Sequence, residues 1–368
     1  MKKRILILSA SFFPDNSPRS FRTTELAKEL SRQGHEVVVY ISKGMYDYKQ
    51  FEVTHKLTIK DYGHLYFKQI NITGNSVYRL LKKILNRTLL QFFEYPDIEY
   101  AFKVNSILRK ESVYDMLISI AVPHSIHWGV SFLAKNIKKR TAIWIADCGD
   151  PFMFCDTSHF KKMPYFSVLE KRFCKYADYI TVPTEASKNG YFRQFQNKIR
   201  VIPQGFNFED ISIYSGEIKN TIPTFAYAGS FIPKKRDPKE FFDYLYSLKR
   251  EFKFIIYTSQ HEMINKHWKI LDKRKIELRQ YINRNELLYN LSKMDFLVNF
   301  ENNTVIQTPS KLIDYALTKR PVLSVTTGSL NCDIVNQFLD GNYHQSTIIP
   351  NIQIYNIKNV AAKFLSLC

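Results

Sequence analysis

Residues 299–325 read N-F-E-N-N-T-V-I-Q-T-P-S-K-L-I-D-Y-A-L-T-K-R-P-V-L-S-V, the pattern of a strand end, a capped helix and a second strand. Thr308 is a good N-cap, and Pro309 suits the first helical position, where a missing N–H is no loss. The free amides of Ser310, Lys311 and Leu312 then point out of a helix N-terminus. That end carries partial positive charge and attracts anions. Ser310 adds a hydroxyl and Lys311 a cation. Asp314 lies four residues beyond Ser310, one turn further along the same face. A carboxylate there can accept hydrogen bonds from ribose hydroxyls while phosphates sit at the helix tip. Pro321 stops the helix, and Val322, Leu323 and Val325 read as a buried strand. The same residues also fit an ordinary capped helix with no ligand.

The rest of the chain alternates strands and helices in the same way. Residues 5–9, 20–33 and 35–41 form a β-α-β start, which implies a parallel sheet covered by helices. The first turn has no glycine, so the G-x-G-x-x-G of a dinucleotide site is absent. Residues 45–75 read as an irregular excursion. Strands at 114–120 and 141–146 lead into A-V-P-H-S-I-H-W and D-C-G-D-P-F, beyond the carboxyl ends where open α/β sheets hold ligands. A helix at 171–177, a strand at 179–182, a helix reaching about 195 and a strand at 199–203 close the first half. The second half opens on T-F-A-Y-A-G-S-F, a strand and a tight glycine turn. A helix at 239–249, strands at 252–258 and 276–278, and a helix at 285–291 lead to the opening stretch. A last helix covers 357–367. The expected fold class is α/β, with two Rossmann-like parallel-sheet domains, 1–203 and 204–368, facing each other across a cleft. The last helix can pack back on the N-terminal domain.

Size and charge narrow the function. The chain has 368 residues, enough for two substantial cores. Its 53 Lys and Arg against 34 Asp and Glu leave a net charge of +19, which favours anionic partners. The apolar run at 5–10 is shorter than a signal core, and no run approaches the length of a membrane span. Five cysteines (148, 155, 174, 332, 368) show no metal-ligand spacing and read as free thiols in a reducing cytoplasm. Residues 76–93 form a helix with Val77, Leu80, Leu81, Ile84, Leu85 and Leu89 on one stripe. Arg79, Lys82, Lys83 and Arg87 lie on the other. Such a helix can lie on an anionic membrane, or pack in a core with a solvated basic back.

P-S-K-L-I-D-Y-A-L-T-K-R-P-V-L resembles the donor-binding signature of family 4 glycosyltransferases, in the variant of bacterial capsule, O-antigen and exopolysaccharide clusters. I-A-D-C-G-D-P-F, A-D-Y-I-T-V-P-T-E and V-I-P-Q-G-F are similar to further segments of that group, so the resemblance spans nearly the whole chain. Two departures stand out. Asp314 occupies a position that is usually Glu, and Ile306 replaces the first Glu of the usual pair.

The resemblance implies a GT-B fold and retaining transfer of a hexose-type sugar from a nucleotide-sugar donor. It also implies a saccharide or lipid-linked oligosaccharide acceptor, no metal or other cofactor, and a place on the cytoplasmic face of the membrane. Catalytic roles fall to His124, Arg236 and Lys311. Donor binding falls to Gly229, Ser230 and Arg236, with Gln307, Thr308, Pro309, Ser310, Lys311, Leu312 and Asp314. Family members carry an Arg directly after the glycine where this chain has Ser230, while Arg236 matches the second basic position. Arg suits bidentate phosphate contact. His127 competes with His124 for a hydrogen bond to the donor. Acceptor contacts are expected from Arg19, Arg22, Asp147 and Asp150. Two other readings are a non-catalytic protein of the same fold, suggested by Ile306 and Ser230, and a nucleic-acid binder, suggested by the charge. The scattered basic residues and the lack of any known nucleic-acid motif argue against the last.

Overall fold

The computed structural model describes residues 1–15, 17–154, 161–260, 264, 275–301, 310–348 and 351–368. These form two compact units, Met1–Phe206 with Ile354–Cys368, and Asn207–Gln353.

In chain order the first unit contains β1 (Arg4–Leu8), α1 (Pro18–Arg32), β2 (Glu36–Ile41), α2 (Lys49–His55), β3 (Thr58–Asp61) and α3 (Ser76–Phe93). It continues with α4 (Glu99–Lys110), β4 (Tyr114–Ile120), α5 (Ser125–Ser131), β5 (Thr141–Asp147), α6 (Phe166–Tyr176), β6 (Tyr179–Val182) and β7 (Ile199–Val201). The strands form one parallel sheet in the order β3-β2-β1-β4-β5-β6-β7. Both faces are covered, so alternate residues of one strand enter different cores. Leu6 and Leu8 join Leu117, Trp144 and the helical residues Val104, Trp128 and Phe173. Ile5 and Ile7 join Val39, Ile118, Leu26 and Leu30 on the other side.

The second unit contains β8 (Thr224–Ala228), α7 (Lys239–Ser247), β9 (Lys253–Tyr257), β10 (Ile276–Arg279), α8 (Arg284–Leu291), β11 (Phe296–Phe300), α9 (Ser310–Leu317), β12 (Val322–Val325) and α10 (Cys332–Leu339). Its parallel sheet runs β10-β9-β8-β11-β12. One face is strongly aromatic, with Phe225 stacked on Phe254 at 4.7 Å and on Phe296 at 4.5 Å. The other packs Ala226, Ala228 and Leu297 against Leu312 and Tyr315 of α9.

The closing helix, α11 (Ile357–Leu365), belongs to the first unit. Ile357, Val360, Ala361 and Phe364 share a core with Leu26 and Leu30 of α1. The Phe206 amide donates to Tyr355 O, and the Ile357 amide to Phe206 O. The boundary thus falls at Phe206 rather than 203, and the last helix packs back on the first unit, a return that the apolar stripe of α11 drives. The 45–75 stretch also holds regular structure, α2 and β3. Leu57 and Ile59 are buried on this short edge, and Phe51 packs on Phe12 and Phe13. The helix expected to reach 195 is two 3-10 turns, Ala186–Gly190 and Arg193–Lys198, separated around the buried ring of Tyr191.

Candidate donor and acceptor sites

In the second unit, β8 is followed by Gly229, whose φ of +146° lies where L side chains are strained. This turn lets the Gly229 amide donate to Tyr257 O at 3.0 Å and brings Ser230 O within 3.0 Å of the Tyr227 hydroxyl. Beyond it the Arg236 amide donates back to Ile232 O at 2.8 Å, so the turn closes on itself. Helix α9 is latched to β8 where the Ala228 amide donates to the Tyr315 hydroxyl at 2.8 Å.

That latch places Lys311, in the first turn of α9, over the face of Tyr227 with Nζ 4.6 Å from the ring centre. Lys311 Nζ and Arg236 Nε are both buried without a hydrogen-bonding partner among the described residues. Burial pulls the Lys311 ammonium down to about 7, and neighbouring Arg236 adds to the effect. The Arg236 side chain hydrogen-bonds Tyr227. The structure thus brings together Gly229, Ser230, Arg236 and Lys311.

The other expected donor residues fare differently. Leu312 is a core residue. Asp314 receives Arg284 Nε at 2.9 Å and an Arg284 terminal nitrogen at 2.6 Å on the same oxygen. Burial raises the Asp314 carboxyl, and Arg284 partly offsets it. Asp314 is therefore half of an ion pair rather than an isolated acceptor. Gln307, Thr308 and Pro309, the side chain of Ser310 and the departure at Ile306 lie outside the described residues.

In the first unit, the loops after β4 and β5 gather His124, Asp150 and Arg19. His124 is buried, with its ring 5.1 Å from Phe152 and 5.7 Å from His127. It hydrogen-bonds the Asp150 backbone, while Nε2 has no partner among the described residues. Burial, then the neighbouring His127 and Lys162, hold His124 well below the usual histidine range, so it is neutral at ordinary pH. Arg19 lies across Gly149, where a Cβ would fall 1.8 Å from a guanidinium nitrogen. Only glycine leaves room for that approach. Asp150 is half-buried and lies near enough to raise the Arg19 pKa against the dominant effect of burial.

Two expected acceptor residues are corrected. Arg22 and Asp147 bind each other, Nε at 2.9 Å from one oxygen and a terminal nitrogen at 2.7 Å from the other, both side chains buried. Thr181 Oγ1 donates to Asp147 at 2.6 Å, and Arg22 also reaches the carbonyls of Ile202 and Pro203. Burial alone would raise the Asp147 carboxyl, but Arg22 and Thr181 outweigh it and hold it below the usual range. The pair fastens α1 to β5, β6 and the end of β7, and is not open to a ligand. His127 is likewise engaged: Nδ1 lies 2.8 Å from Ser119 Oγ and Nε2 3.4 Å from Cys148 Sγ. Burial lowers it to about 3.

Comparison with known proteins gives the family from one match and the fold from several. The model of Glycosyltransferase Family 4 matches residues 21–210. The chain belongs to glycosyltransferase family 4. No curated protein matches it by sequence. A glycosyltransferase from Rickettsia africae aligns at 12% identity with a TM-score of 0.63, covering 100% of this chain and 97% of the other. Anabaena HepE, solved with UDP and glucose, aligns at 11% identity and 0.61, covering 99% and 98%. The lipopolysaccharide outer core galactosyltransferase WaaB aligns at 14% and 0.62, again covering 99% and 98%. The two parallel sheets of this family 4 chain are those of the GT-B fold.

Three features of this family member escape sequence reading. Tyr227 links the two cations of the second unit, and the only signal is an aromatic residue two before a glycine turn. Arg284 pairs with Asp314 from 30 residues away. A cavity of about 400 Å³ opens beyond the ends of β1 and β2, lined by Ser11, Phe12, Asp15, Lys43, Tyr46 and Tyr48. The aromatic run around Tyr46 is visible in the sequence, but its meeting with the loop after β1 is not.

Proposed function

We propose that the chain is a retaining hexosyltransferase that moves a sugar from a nucleotide-sugar donor to a lipid-linked saccharide, at the inner face of the membrane, in bacterial surface-polysaccharide assembly. The observation that carries this reading is the pair of cations, Lys311 and Arg236, side by side without a carboxylate partner among the described residues. Two such charges repel until an anion joins them, and a nucleotide diphosphate fits that demand at a helix N-terminus. As the donor bond breaks, the pair stabilises the departing diphosphate, where one well-placed donor contributes about 3 kcal/mol. In this reading the two cations take the role a metal fills elsewhere, so no cofactor is needed. Neutral His124 hydrogen-bonds the transferred sugar. Asp314, steadied by Arg284, accepts a ribose hydroxyl. The acceptor enters the cavity beside Tyr46 and Tyr48, with Arg19 and Asp150 as further contacts. The acceptor hydroxyl attacks from the leaving-group side and passes its proton to the departing diphosphate oxygen, so the anomeric configuration is kept and no protein nucleophile takes part.

Support comes from HepE, which binds UDP and glucose, and from WaaB, a lipopolysaccharide transferase. The test is a thermal-shift screen with UDP-, GDP-, ADP- and CMP-linked sugars, followed by nucleotide release from the stabilising donor. One nucleotide class should stabilise the chain and be slowly hydrolysed without acceptor. Stabilisation with no turnover, with or without lipid-linked saccharides, would leave a binding protein instead.

A further inference from the structure

Helix α3 is mounted the wrong way round for a core helix. None of its 18 residues is buried. Val77, Leu80, Leu81 and Ile84 are 63, 58, 56 and 54% exposed. The half-buried positions include Leu89, at the edge of the apolar stripe, and Lys82 and Asn86, on the side opposite that stripe. There the 63–75 segment is clamped to the helix. Asn86 donates to Ile70 O at 2.8 Å and accepts from the Ile70 amide at 3.1 Å, while Lys82 donates to Thr73 O at 3.0 Å. The amides of Tyr66 and Phe67 in turn donate to Glu99 of α4 at 2.9 and 2.6 Å. The segment thus takes the polar side of α3, and the leucine-rich side faces solvent. Exposed Tyr66, Phe67 and Ile72 add to the apolar surface.

An uncovered apolar face of this extent marks a docking surface. Charge selects the occupant. The helix carries Arg79, Lys82, Lys83 and Arg87 and no acidic residue, on a chain of net charge +19. Two copies of this surface would repel, whereas a bilayer of anionic lipid takes the apolar stripe while the long exposed side chains of Arg79, Lys83 and Arg87 reach its headgroups. No helix among the described residues is long and apolar enough to cross a membrane, so the contact is in the plane of the interface. We propose that α3, with the 63–75 segment, is a monotopic docking surface for anionic phospholipid. The far end of α3 is fixed close to His124. Glu94, its C-cap, pairs with Lys162; Lys162 lies 4.7 Å from the Phe152 ring centre, and Phe152 packs on His124. Docking therefore holds the loops of the first unit at the lipid surface, where a lipid-linked acceptor is found. This last use rests on the transfer reading, but the docking itself does not.

The experiment is flotation of the full chain with phosphatidylglycerol–phosphatidylcholine vesicles and with phosphatidylcholine alone. Binding is expected on the anionic vesicles, falling at least about tenfold from low to high salt, with little on neutral ones. Replacing Arg79, Lys82, Lys83 and Arg87 with Gln, or Leu81 and Ile84 with Asn, should remove it. Thermal melting and binding of the nucleotide sugar that stabilises the wild type, read in parallel, verify the fold. A Leu81→Trp variant should shift its emission to the blue on anionic vesicles only. No wild-type binding, or flotation that survives both variants, overturns the proposal. So does a dimer in sedimentation velocity that the Leu81/Ile84 variant dissolves, since a second copy then covers the face. Vesicle binding without any nucleotide binding would leave docking standing and defeat the transfer reading.

Discussion

Lys311 is an amine whose charge depends on what sits beside it. In the unliganded chain, burial and Arg236 bring it down to about 7. A bound diphosphate favours the ammonium and raises the pKa, so binding above pH 7 takes up a proton. Affinity for a nucleoside-diphosphate sugar, whose diphosphate does not titrate near neutrality, should fall as pH rises through that value, at most about tenfold per unit. Calorimetry from weakly acid to alkaline pH should find this slope in the wild type and a flat profile in Lys311→Ala. Asp147 makes the opposite case. Its depressed pKa contributes stability that is present above the ordinary value of 3.8 and is lost as pH falls through the lower folded value. Asp147→Ala leaves the Arg22 guanidinium buried without its counter-charge, which should lower unfolding free energy by about 3–5 kcal/mol in denaturant titration. A stable variant with a weakened acceptor KM would return Asp147 to the acceptor site.

At the scale of elements, α11 shows how a short helix can complete a distant domain. Phe364 is fully buried against the α1 face and lies 5.1 Å from the Arg22 guanidinium. Phe364→Ala should therefore destabilise the first unit by about 3–5 kcal/mol, with the second unit's nucleotide binding unchanged at temperatures below the melt. Elements with strong periodicity, such as α1 and the buried strands, were legible in the sequence because their apolar pattern leaves one solution. The edge pair α2 and β3 was not, since a strand of four residues carries too little period to register. Helix α3 was half legible. Its two stripes could be counted, but periodicity says only that one face is apolar, not what covers it. Site residues followed the same division. The Lys311 end of α9 and the glycine turn at Gly229 are local signals, whereas Arg22 and Asp147 meet across 125 residues of sequence. Nothing in either neighbourhood announces that pairing.

At the scale of the whole molecule, two parallel sheets carry two different kinds of site. The second unit offers concentrated positive charge at one helix end; the first offers a neutral histidine, an arginine over a glycine loop and an aromatic-lined cavity. That division of labour suits the proposed transfer, with the charged donor on the second unit and the acceptor on the first. The measurement that bears on this most directly is calorimetric titration of the stabilising nucleotide sugar into wild type, Arg236→Ala and Lys311→Ala. Each variant should keep its fold and lose about 1–3 kcal/mol of binding free energy, the worth of a charge-assisted contact to phosphate. Unchanged affinity in both folded variants would contradict the account, because the diphosphate would then lie somewhere other than between Lys311 and Arg236.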